Sequence, residues 1–248
     1  MFLSIIVLSF STVSNVDFIT VYLTVKYGPP DYGNMKFLLI TDLHQHKSAM
    51  DWINAEIEEH KVDFVLHLGD VTEMGTSDDA VEILKMIKAK VYVIPGNCDP
   101  LDMPGKIGDV AVDMHGKKVT IDGHDIVGFG GSNKSPFGSP FELEEDVIYN
   151  GLKAVASEKM ILMTHAPSYG ILDEIPSGIH VGCPAIKKIV DEYHPILAMS
   201  GHIHEAIGCK NIDGTTFVNP GPAKDGYSAV ITIDGDKVDV KMLHHVGI

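Results

Sequence analysis

Side chains that can bind metal ions follow five short apolar segments of this sequence. The donors are carboxylates, an amide and imidazoles, a combination that suits divalent transition metals. One such residue after a strand is usually a turn or a helix cap, but five in succession predict a site. The segments end in Asp42-Leu43-His44, Gly69-Asp70, Gly96-Asn97-Cys98-Asp99, Thr164-His165 and Gly201-His202-Ile203-His204.

The spacing of these residues predicts two ions. On an extended segment Asp42 and His44 leave the same face and can chelate one ion, and His202 and His204 share that relation. Residues two apart on a strand lie roughly 6–7 Å apart, so the histidine pair can reach two ions that are about 3.5–4 Å from each other. A carboxylate is the natural bridge between such ions, and Asp70 is the candidate.

The ordered set D-x-H, G-D, G-N-x-D, T-H and G-H-x-H, which runs from Met35 onward, resembles the calcineurin-like metallophosphoesterases. Within them it is most similar to small prokaryotic phosphodiesterases related to the cyclic-AMP phosphodiesterase group. The resemblance implies two divalent ions, with Mn²⁺ expected and Fe, Zn²⁺ or Ni left open. It assigns Asp42, His44, Asp70 and His204 to one ion and Asp70, Asn97, His165 and His202 to the other. Supporting motifs are Gly130-Gly131-Ser132-Asn133 and Asn219-Pro220-Gly221.

This resemblance implies metal-dependent hydrolysis of a phosphate ester, with hydroxide generated between the two ions. Asp70, Asn97 and His165 are the expected catalytic residues. A phosphodiester of a small molecule is the expected substrate. A phosphomonoesterase of the same fold and a non-catalytic metal-binding scaffold remain the alternatives.

Two positions depart from the family pattern. Cys98 stands where many members have a histidine that donates a proton to the leaving oxygen, and a thiolate beside two cations has no proton to give. His46 adds an imidazole close to the site and is a candidate catalytic proton donor, although a solvated loop histidine is the plainer interpretation. The missing acid favours activated esters and some diesters over alkyl monoesters.

The elements that must position these residues alternate between short apolar runs and helical patterns, which is typical of βαβ units. Helical spacing relates Met50 to Ile57, Val81 to Ile87 and Ile186 to Val190, and Ser139-Pro140-Phe141-Glu142 predicts a further helix start. Asp122-Gly123 and Asp234-Gly235 predict hairpins. The predicted strands that carry the site are Lys36–Thr41, Asp63–Leu68, Val91–Pro95, Met160–Thr164 and Ile196–Ser200.

These elements predict an α/β fold, a four-layer αββα sandwich of two mixed β-sheets flanked by helices. The binuclear site is expected at the carboxyl ends of the strands. Residues 35–248 form the predicted phosphoesterase domain. Residues 1–34 are expected to be an N-terminal extension, either an appendage or an upstream translation, because Tyr27-Gly28-Pro29-Pro30-Asp31 is rich in breakers.

Composition narrows the classes of partner. The net charge of −15 comes from 34 acidic against 19 basic residues, which argues against binding a nucleic acid polymer. A small phosphorylated substrate stays compatible, because bound cations can invert the local field. The three cysteines have no CxxC spacing, and the apolar run Phe2–Phe10 lacks the basic residues of a secretory signal. We expect a cytoplasmic protein without a membrane span; a homo-oligomer stays open.

The remaining histidines carry weaker expectations. His67 lies inside a predicted strand and is expected to be structural. His60, His115, His124, His194, His244 and His245 fall in predicted turns, loops or the tail, where solvation is expected, and His180 precedes a predicted helix with its role undecided.

Overall fold

A computed structural model describes the backbone of residues 5–13 and 16–24 and the chain from 33 to 245. The chain divides into two compact units, Met1–Tyr32 and Gly33–Ile248. In the first unit β1 (Ile5–Val13) pairs antiparallel with β2 (Val16–Thr24). That residues 1–34 are an N-terminal extension stays a prediction. The interpretation of the apolar run Phe2–Phe10 also stays a prediction, and residues 2–4 of that run lie outside the described chain.

The second unit contains the elements that follow, in chain order. Its described strands are β3 (Asn34–Ile40), β4 (Phe64–His67), β5 (Val91–Val93), β6 (Val112–Asp113), β7 (Lys117–Ile121), β8 (His124–Phe129), β9 (Ser132–Asn133), β10 (Glu142–Leu143), β11 (Ile161–Thr164), β12 (Leu197–Met199), β13 (Gly208–Ile212), β14 (Thr215–Asn219), β15 (Tyr227–Asp234) and β16 (Lys237–His244). Its described α-helices are α1 (Met50–His60), α2 (Ser77–Leu84), α3 (Glu145–Val155) and α4 (Pro184–Tyr193). Short 3-10 turns occupy Lys47–Ala49, Met103–Gly105 and Ala223–Asp225.

Two six-stranded sheets organise this unit. The first sheet has the order β16-β15-β3-β4-β5-β6. Strands β3 to β6 run parallel, β15 pairs antiparallel with β3, and β16 pairs antiparallel with β15. The second sheet has the order β13-β14-β12-β11-β8-β7, with β14, β12, β11 and β8 parallel and both edge strands antiparallel. Both sheets are therefore mixed, as the sequence predicts.

Side chains that alternate along each strand build three hydrophobic layers. Leu38 and Ile40 of β3 share a buried cluster with α1 and α2, whereas Phe37 and Leu39 join the second sheet. On the far side of the second sheet, Leu162 of β11 belongs to the cluster that includes residues of α3 and α4. The order of layers is helices, sheet, sheet, helices, which confirms the predicted αββα sandwich.

The predicted helix start at Ser139 is wrong. Glu142 lies in the short strand β10, and its carboxylate accepts hydrogen bonds from Ser135 and Ser139. Helix α3 begins only at Glu145, and Glu144 at its N-cap forms no side-chain cap. The serines therefore bind the glutamate across a loop instead of capping a helix, a contact that local sequence patterns do not specify.

Both predicted hairpins are present. Asp122 and Gly123 form the two-residue turn between β7 and β8, and their φ angles of 47° and 84° suit a type I′ turn. The second hairpin joins β15 to β16, but its pairing of Asp234 with Lys237 places Gly235 and Asp236 in the turn, one residue later than the sequence pattern suggests.

Candidate metal centre

The seven predicted ligands follow the carboxyl ends of five parallel strands, drawn from both sheets. In the first sheet β3 leads to Asp42 and His44, β4 to Asp70 and β5 to Asn97. In the second sheet β11 leads to His165 and β12 to His202 and His204. The inner cluster packs the two sheets face to face, so these loops meet at one end of the sandwich.

The ligand-bearing segments are not extended, which corrects the strand geometry expected from the sequence. Asp42, His44, Asp70 and His202 all have positive φ, between 47° and 67°. This left-handed region is costly for residues with a Cβ and is concentrated at functional sites. The convergence of Asp42 with His44, and of His202 with His204, therefore comes from tight turns and not from the two-residue repeat of a strand.

Glycines allow the loops to approach closely enough to form the site. A Cβ on Gly96 would lie 2.1 Å from Asp70 Oδ1, and a Cβ on Gly201 would lie 2.5 Å from Asp42 Oδ2. Backbone hydrogen bonds tie the first two loops together, with His44 N–H donating to the Asp70 carbonyl at 2.9 Å. Side chains at either glycine would push the carboxylates out of place.

One group of donors surrounds Asp42. His204 Nε2 lies 3.3 Å and His44 Nε2 3.8 Å from Asp42 Oδ1, and His44 Nε2 is 3.7 Å from Asp70 Oδ2. Two donors of one ion lie roughly 3.0–3.5 Å apart when each bond is about 2.1 Å. Asp42, His44 and His204 thus have the spacing of ligands to a single ion.

A second group surrounds Asp70. His165 Nε2 lies 3.5 Å from Asp70 Oδ2 and 2.8 Å from Asn97 Oδ1. The His202 ring centroid is 5.0 Å from that of His165. Since Asp70 Oδ2 faces both His44 and His165, its carboxylate is placed to serve both groups.

The buried polar atoms at this site fit bound cations. His44 Nε2 is buried and has no hydrogen-bond partner among the described residues, although three carboxylate and imidazole groups surround it. Buried polar atoms without partners are costly. A divalent ion among Asp42, His44 and Asp70 would satisfy the orphaned nitrogen and neutralise two buried carboxylates.

The ionisation of the carboxylates is suited to cations. Burial tends to raise the pKa of Asp42, but its hydrogen bond to His204 and the neighbouring imidazoles lower it below the usual value. Burial also opposes ionisation of Asp70, and His165 lowers its pKa nonetheless. Both carboxylates are therefore charged and ready to bind metal at neutral pH.

The imidazoles differ from one another. Burial and the nearby His165 lower the pKa of His202 to about 4, so that its ring is neutral at pH 7. Burial lowers and the Asp70 carboxylate raises the pKa of His165, and the outcome is a rise to about 9. The hydrogen bond that His204 donates to the Asp42 carboxylate raises the pKa of His204. His165 must release a proton before it can bind a metal ion.

Residues behind the ligands hold them in place. Asp99 is fully buried and accepts hydrogen bonds from the N–H groups of Gly96, Val71 and Thr72, which fixes the loops that present Asp70 and Asn97. Burial and the charge of Asp70 raise the pKa of Asp99 to about 6. Asp99 therefore supports the loops that carry two of the predicted ligands.

Two further supporting residues escape local sequence patterns. Glu73 Oε2 lies 2.5 Å from His44 Nδ1, which leaves Nε2 of that ring facing the carboxylates. Ser139 Oγ accepts a hydrogen bond from Asn97 Nδ2 at 3.0 Å, so that Oδ1 faces His165. The first contact is an ion pair and the second a hydrogen bond. Contacts of this kind behind a ligand set its orientation, and both join segments that are distant in the sequence.

Cys98 lies close to the centre. Its N–H donates to Asp70 Oδ1 at 2.8 Å, and its thiol accepts a hydrogen bond from Asn97 Nδ2 at 3.3 Å. Burial and the charge of Asp70 raise the pKa of the thiol well above its usual value, which opposes the thiolate expected from the sequence. A metal donor group of His44, Asp70 and Cys98 is also geometrically possible.

His46 has a different environment from the predicted ligands. Its side chain is exposed, and Nδ1 hydrogen-bonds the His44 carbonyl at 2.8 Å. Within the described chain no hydrogen bond joins His46 to a predicted ligand side chain. Its role as a proton donor stays a prediction.

The other histidines divide between surface and interior. His67 is buried, its Nδ1 accepts a hydrogen bond from Gly69 N–H, and burial lowers its pKa to about 4, as a structural histidine requires. The expectation of solvated rings is wrong for His124, which is buried, and for His115, which packs against Phe129 and Phe141. These contacts are tertiary and have no local sequence signal.

No α-helix of the described chain has the length and apolar character needed to cross a membrane.

The chain is similar to proteins of a known family. The model of the calcineurin-like phosphoesterase family matches residues 35–206. An uncharacterised protein of Methanocaldococcus jannaschii is 33% identical over 199 residues, which cover 76% of this chain and 88% of that protein. The human metallophosphoesterase domain-containing protein 1 is 24% identical over 244 residues, covering 82% of this chain and 71% of that protein.

Solved structures share the fold at low identity. A protein of Thermus thermophilus superposes with a TM-score of 0.62 at 14% identity, covering 84% of this chain and 99% of that chain. An archaeal phosphodiesterase superposes with a TM-score of 0.52 at 15% identity, covering 85% of this chain and all (100%) of that chain. The family model covers more than half of the sequence and includes all the predicted ligands. The chain belongs to the calcineurin-like phosphoesterase family.

Proposed function

We propose that this protein hydrolyses a phosphodiester of a small molecule with two divalent ions, Mn²⁺ first among them. The observation that carries the proposal is the placement of the Asp70 carboxylate between two donor groups. His44 and His165 lie 3.7 and 3.5 Å from the same oxygen of Asp70. A shared carboxylate is the hallmark of a site that holds two ions a few ångströms apart.

The residues divide into the two sets that the family resemblance implies. Asp42, His44, Asp70 and His204 would hold one ion, and Asp70, Asn97, His165 and His202 the other. When bound, the two ions supply an activated nucleophile and charge neutralisation for in-line displacement at phosphorus. Three residues orient the ligands. Glu73 contacts His44, Ser139 accepts a hydrogen bond from Asn97, and Asp99 accepts backbone hydrogen bonds from the loops between them.

The charge of the protein supports a metal-dependent mode of binding. At a net charge of −15 the chain repels phosphate groups at long range, and the centre itself contains two ionised carboxylates. Two divalent ions carry four positive charges, enough to reverse the local field and attract a phosphate ester. Substrate affinity should therefore depend on metal content as strongly as turnover does.

Cys98 favours a diester with a good leaving group over an alkyl monoester. Its thiol accepts a hydrogen bond from Asn97 and its backbone N–H donates to Asp70, so a thiol stands where many family members have an imidazole donor. His46 stays the proposed substitute donor. A phosphomonoesterase is the alternative, and the relative rates of monoester and diester hydrolysis distinguish the two.

The test is turnover of bis(p-nitrophenyl) phosphate, p-nitrophenyl phosphate and alkyl mono- and diesters after reconstitution with Mn²⁺, Fe²⁺, Zn²⁺ or Ni²⁺. Metal content per chain is measured on the same samples. We expect two ions per chain and faster hydrolysis of the diester with Mn²⁺. Two bound ions without hydrolysis of any ester would support a metal-bearing scaffold, and a faster monoester reaction would reverse the order of substrates.

A further inference from the structure

A cavity of about 480 Å³ lies beside the second sheet, outside the set of predicted ligands. One wall is the loop between β11 and α4, and the other is the segment that follows β12 together with Lys210 of β13. Both walls start at the metal centre, because the first leaves β11 at His165 and the second continues from His204 directly into Glu205. Its volume is in the range of small-molecule sites.

A buried carboxylate organises one wall of this cavity. Asp173 is fully buried, and its Oδ2 accepts hydrogen bonds from Gly170 N–H at 2.8 Å and Gly182 N–H at 2.9 Å. Its Oδ1 lies 2.6 Å from His180 Nδ1, and the His180 side chain is 41% exposed. In the tautomer that donates from Nδ1 to this carboxylate, Nε2 is left as a hydrogen-bond acceptor, and His180 lines the cavity.

The other polar groups of the cavity are also mostly acceptors. Glu174 and Glu205 line it as exposed carboxylates, and among its described lining residues Lys210 is the one with a permanent positive charge. Leu172, Ile175 and Ile207 supply apolar surface. A ligand with a hydrocarbon body and a positively charged donor group complements this lining, whereas a second phosphate would meet an excess of negative charge.

We propose that this cavity binds one ester arm of the substrate, and that this arm is an amino alcohol with a hydrocarbon body. The ammonium group is recognised by Glu174, Glu205 and Nε2 of His180, and Asp173 acts as a positioning residue for that ring. This inference rests on the proposed function, since the arm belongs to the ester that is hydrolysed at the adjoining metal centre.

The test compares two p-nitrophenyl phosphodiesters whose second arms are 6-aminohexyl and heptyl. These arms are close in length and shape and differ in a terminal ammonium against a methyl group, while the leaving group is constant. We expect kcat/KM to be about fivefold higher for the aminohexyl ester, the range that partly exposed ion pairs allow. The preference should appear in KM and not in kcat, and it should shrink at high salt.

Variants with opposite expected effects make the assignment specific. The preference should fall toward one in Glu174→Gln/Glu205→Gln and in His180→Leu, and it should rise in Lys210→Met. Glu58→Gln, an exposed substitution on α1, is the matched control and should leave the preference unchanged. Thermal unfolding of each variant verifies that it is folded. Equal kcat/KM for the two esters, or a preference insensitive to these variants, would overturn the proposal.

Binding without turnover separates this proposal from the proposed function. Calorimetric titration of the purified protein with 6-aminohexyl phosphate and with heptyl phosphate should show tighter binding of the amine, again about fivefold, and loss of that difference in Glu174→Gln/Glu205→Gln. If the difference is seen while no ester is hydrolysed, the cavity assignment stands and the hydrolytic function fails. Equal affinity for the two phosphates rejects the cavity assignment whatever the turnover.

Discussion

The two sheets contribute to the metal centre in different ways. The first sheet supplies Asp42, His44, Asp70 and Asn97, and the second supplies only the imidazoles of His165, His202 and His204. The predicted carboxylate ligands therefore all come from one half of the sandwich. On the proposed assignment the first sheet would provide the charge that attracts cations, and the second would complete their coordination.

This difference assigns a structural role to the ions as well. Both predicted ligand sets combine residues from the two sheets, so each bound ion would join the sheets at one end of the hydrophobic layer between them. Metal binding to the folded chain stabilises it by mass action. Loss of the shared carboxylate in the first sheet should therefore remove charge and both ions, whereas loss of one imidazole in the second should weaken one ion.

The largest effect is expected for Asp70→Asn, which removes the charge shared by both donor groups. His204→Ala, in the second sheet, removes one ligand from one group. We expect Asp70→Asn to lose both ions. Its turnover should fall by more than the roughly 100-fold that is the upper range for mutating a residue that only supports a ligand. His204→Ala should retain about one ion per chain.

Metal analysis and phosphodiester turnover on the two variants provide the measurement. Parent protein treated with chelator and reloaded is the control for reversible metal loss. Two ions and modest, equal losses of activity in both variants would show that Asp70 is not shared between the ions.

Asp99→Asn should have the next largest effect, because it disturbs the first sheet without removing a ligand. The Asp99 carboxylate accepts three backbone N–H groups and the Thr72 hydroxyl, and an amide in its place presents two donors to those same N–H groups. We expect metal affinity to fall about 10- to 100-fold, measured by competition with a chromophoric chelator. Affinity equal to that of the parent would mean that the loops keep their shape without this carboxylate.

The sequence was sufficient for those parts of the fold that have a local signal. Residues Phe37–Ile40 form an unbroken apolar run, and Asp122-Gly123 allows little other than a tight turn. The strand order is not local: β15 is distant in sequence from β3 and yet pairs with it. The Ser139 helix failed for the same reason, because Glu142 binds Ser135 and Ser139 across a loop.

The candidate site could be predicted to the level of ligand types but not of geometry. Asp42 and His202 are recognisable from motifs, but their positive φ angles depend on glycine-mediated contact between loops far apart in the chain. Glu73 and Asp173 have no motif at all, since each is defined by the histidine that it contacts. Tertiary packing, which sequence periodicity does not encode, decides these positions.

When a metal ion binds, the second sheet should release a proton, whereas the carboxylates of the first sheet are already ionised. The pKa of His165 is raised to about 9 by Asp70, so its imidazole is protonated at pH 7 before a metal ion binds. A ligating imidazole is neutral, so binding must release that proton. We expect affinity to rise with pH up to about 9 and to fall as pH decreases, by about tenfold per pH unit for each proton released.

Calorimetry of Mn²⁺ binding in buffers of different ionisation enthalpy counts the protons. We expect at least one per chain at pH 7, and one fewer in His165→Asn. An unchanged count in that variant would assign the proton to another group, with His204 the next candidate because its pKa is also raised.

Cys98→His should have a smaller and selective effect. An imidazole at this position of the first sheet could protonate a leaving oxygen, which matters for alkyl esters and little for p-nitrophenyl esters. A general acid contributes roughly 10²–10⁴-fold where it is fully effective, and a substituted one should recover part of that range. In Cys98→His we expect the alkyl-to-aryl ratio of kcat/KM to rise with two ions still bound. If His46 serves as the donor, His46→Ala should lower the same ratio. An unchanged ratio in Cys98→His would reject the missing-acid argument.

The smallest effect is expected from removing the N-terminal residues, because the ligands and both sheets lie in the unit that begins at Gly33. The position of the cut matters. Gly33 N–H donates to the Asp122 carbonyl at 3.1 Å, and Asn34 pairs with Asp234 in the first sheet. Removing residues 1–32 keeps both contacts, whereas removing residues 1–34 deletes them.

We expect the shorter deletion to retain metal content and turnover. The longer deletion should lower the free energy of unfolding by about 1–2 kcal/mol, the contribution of one or two backbone hydrogen bonds, with two ions still bound. Urea denaturation with metal analysis measures both quantities. Loss of metal in the shorter deletion would mean that the centre depends on more than the two sheets.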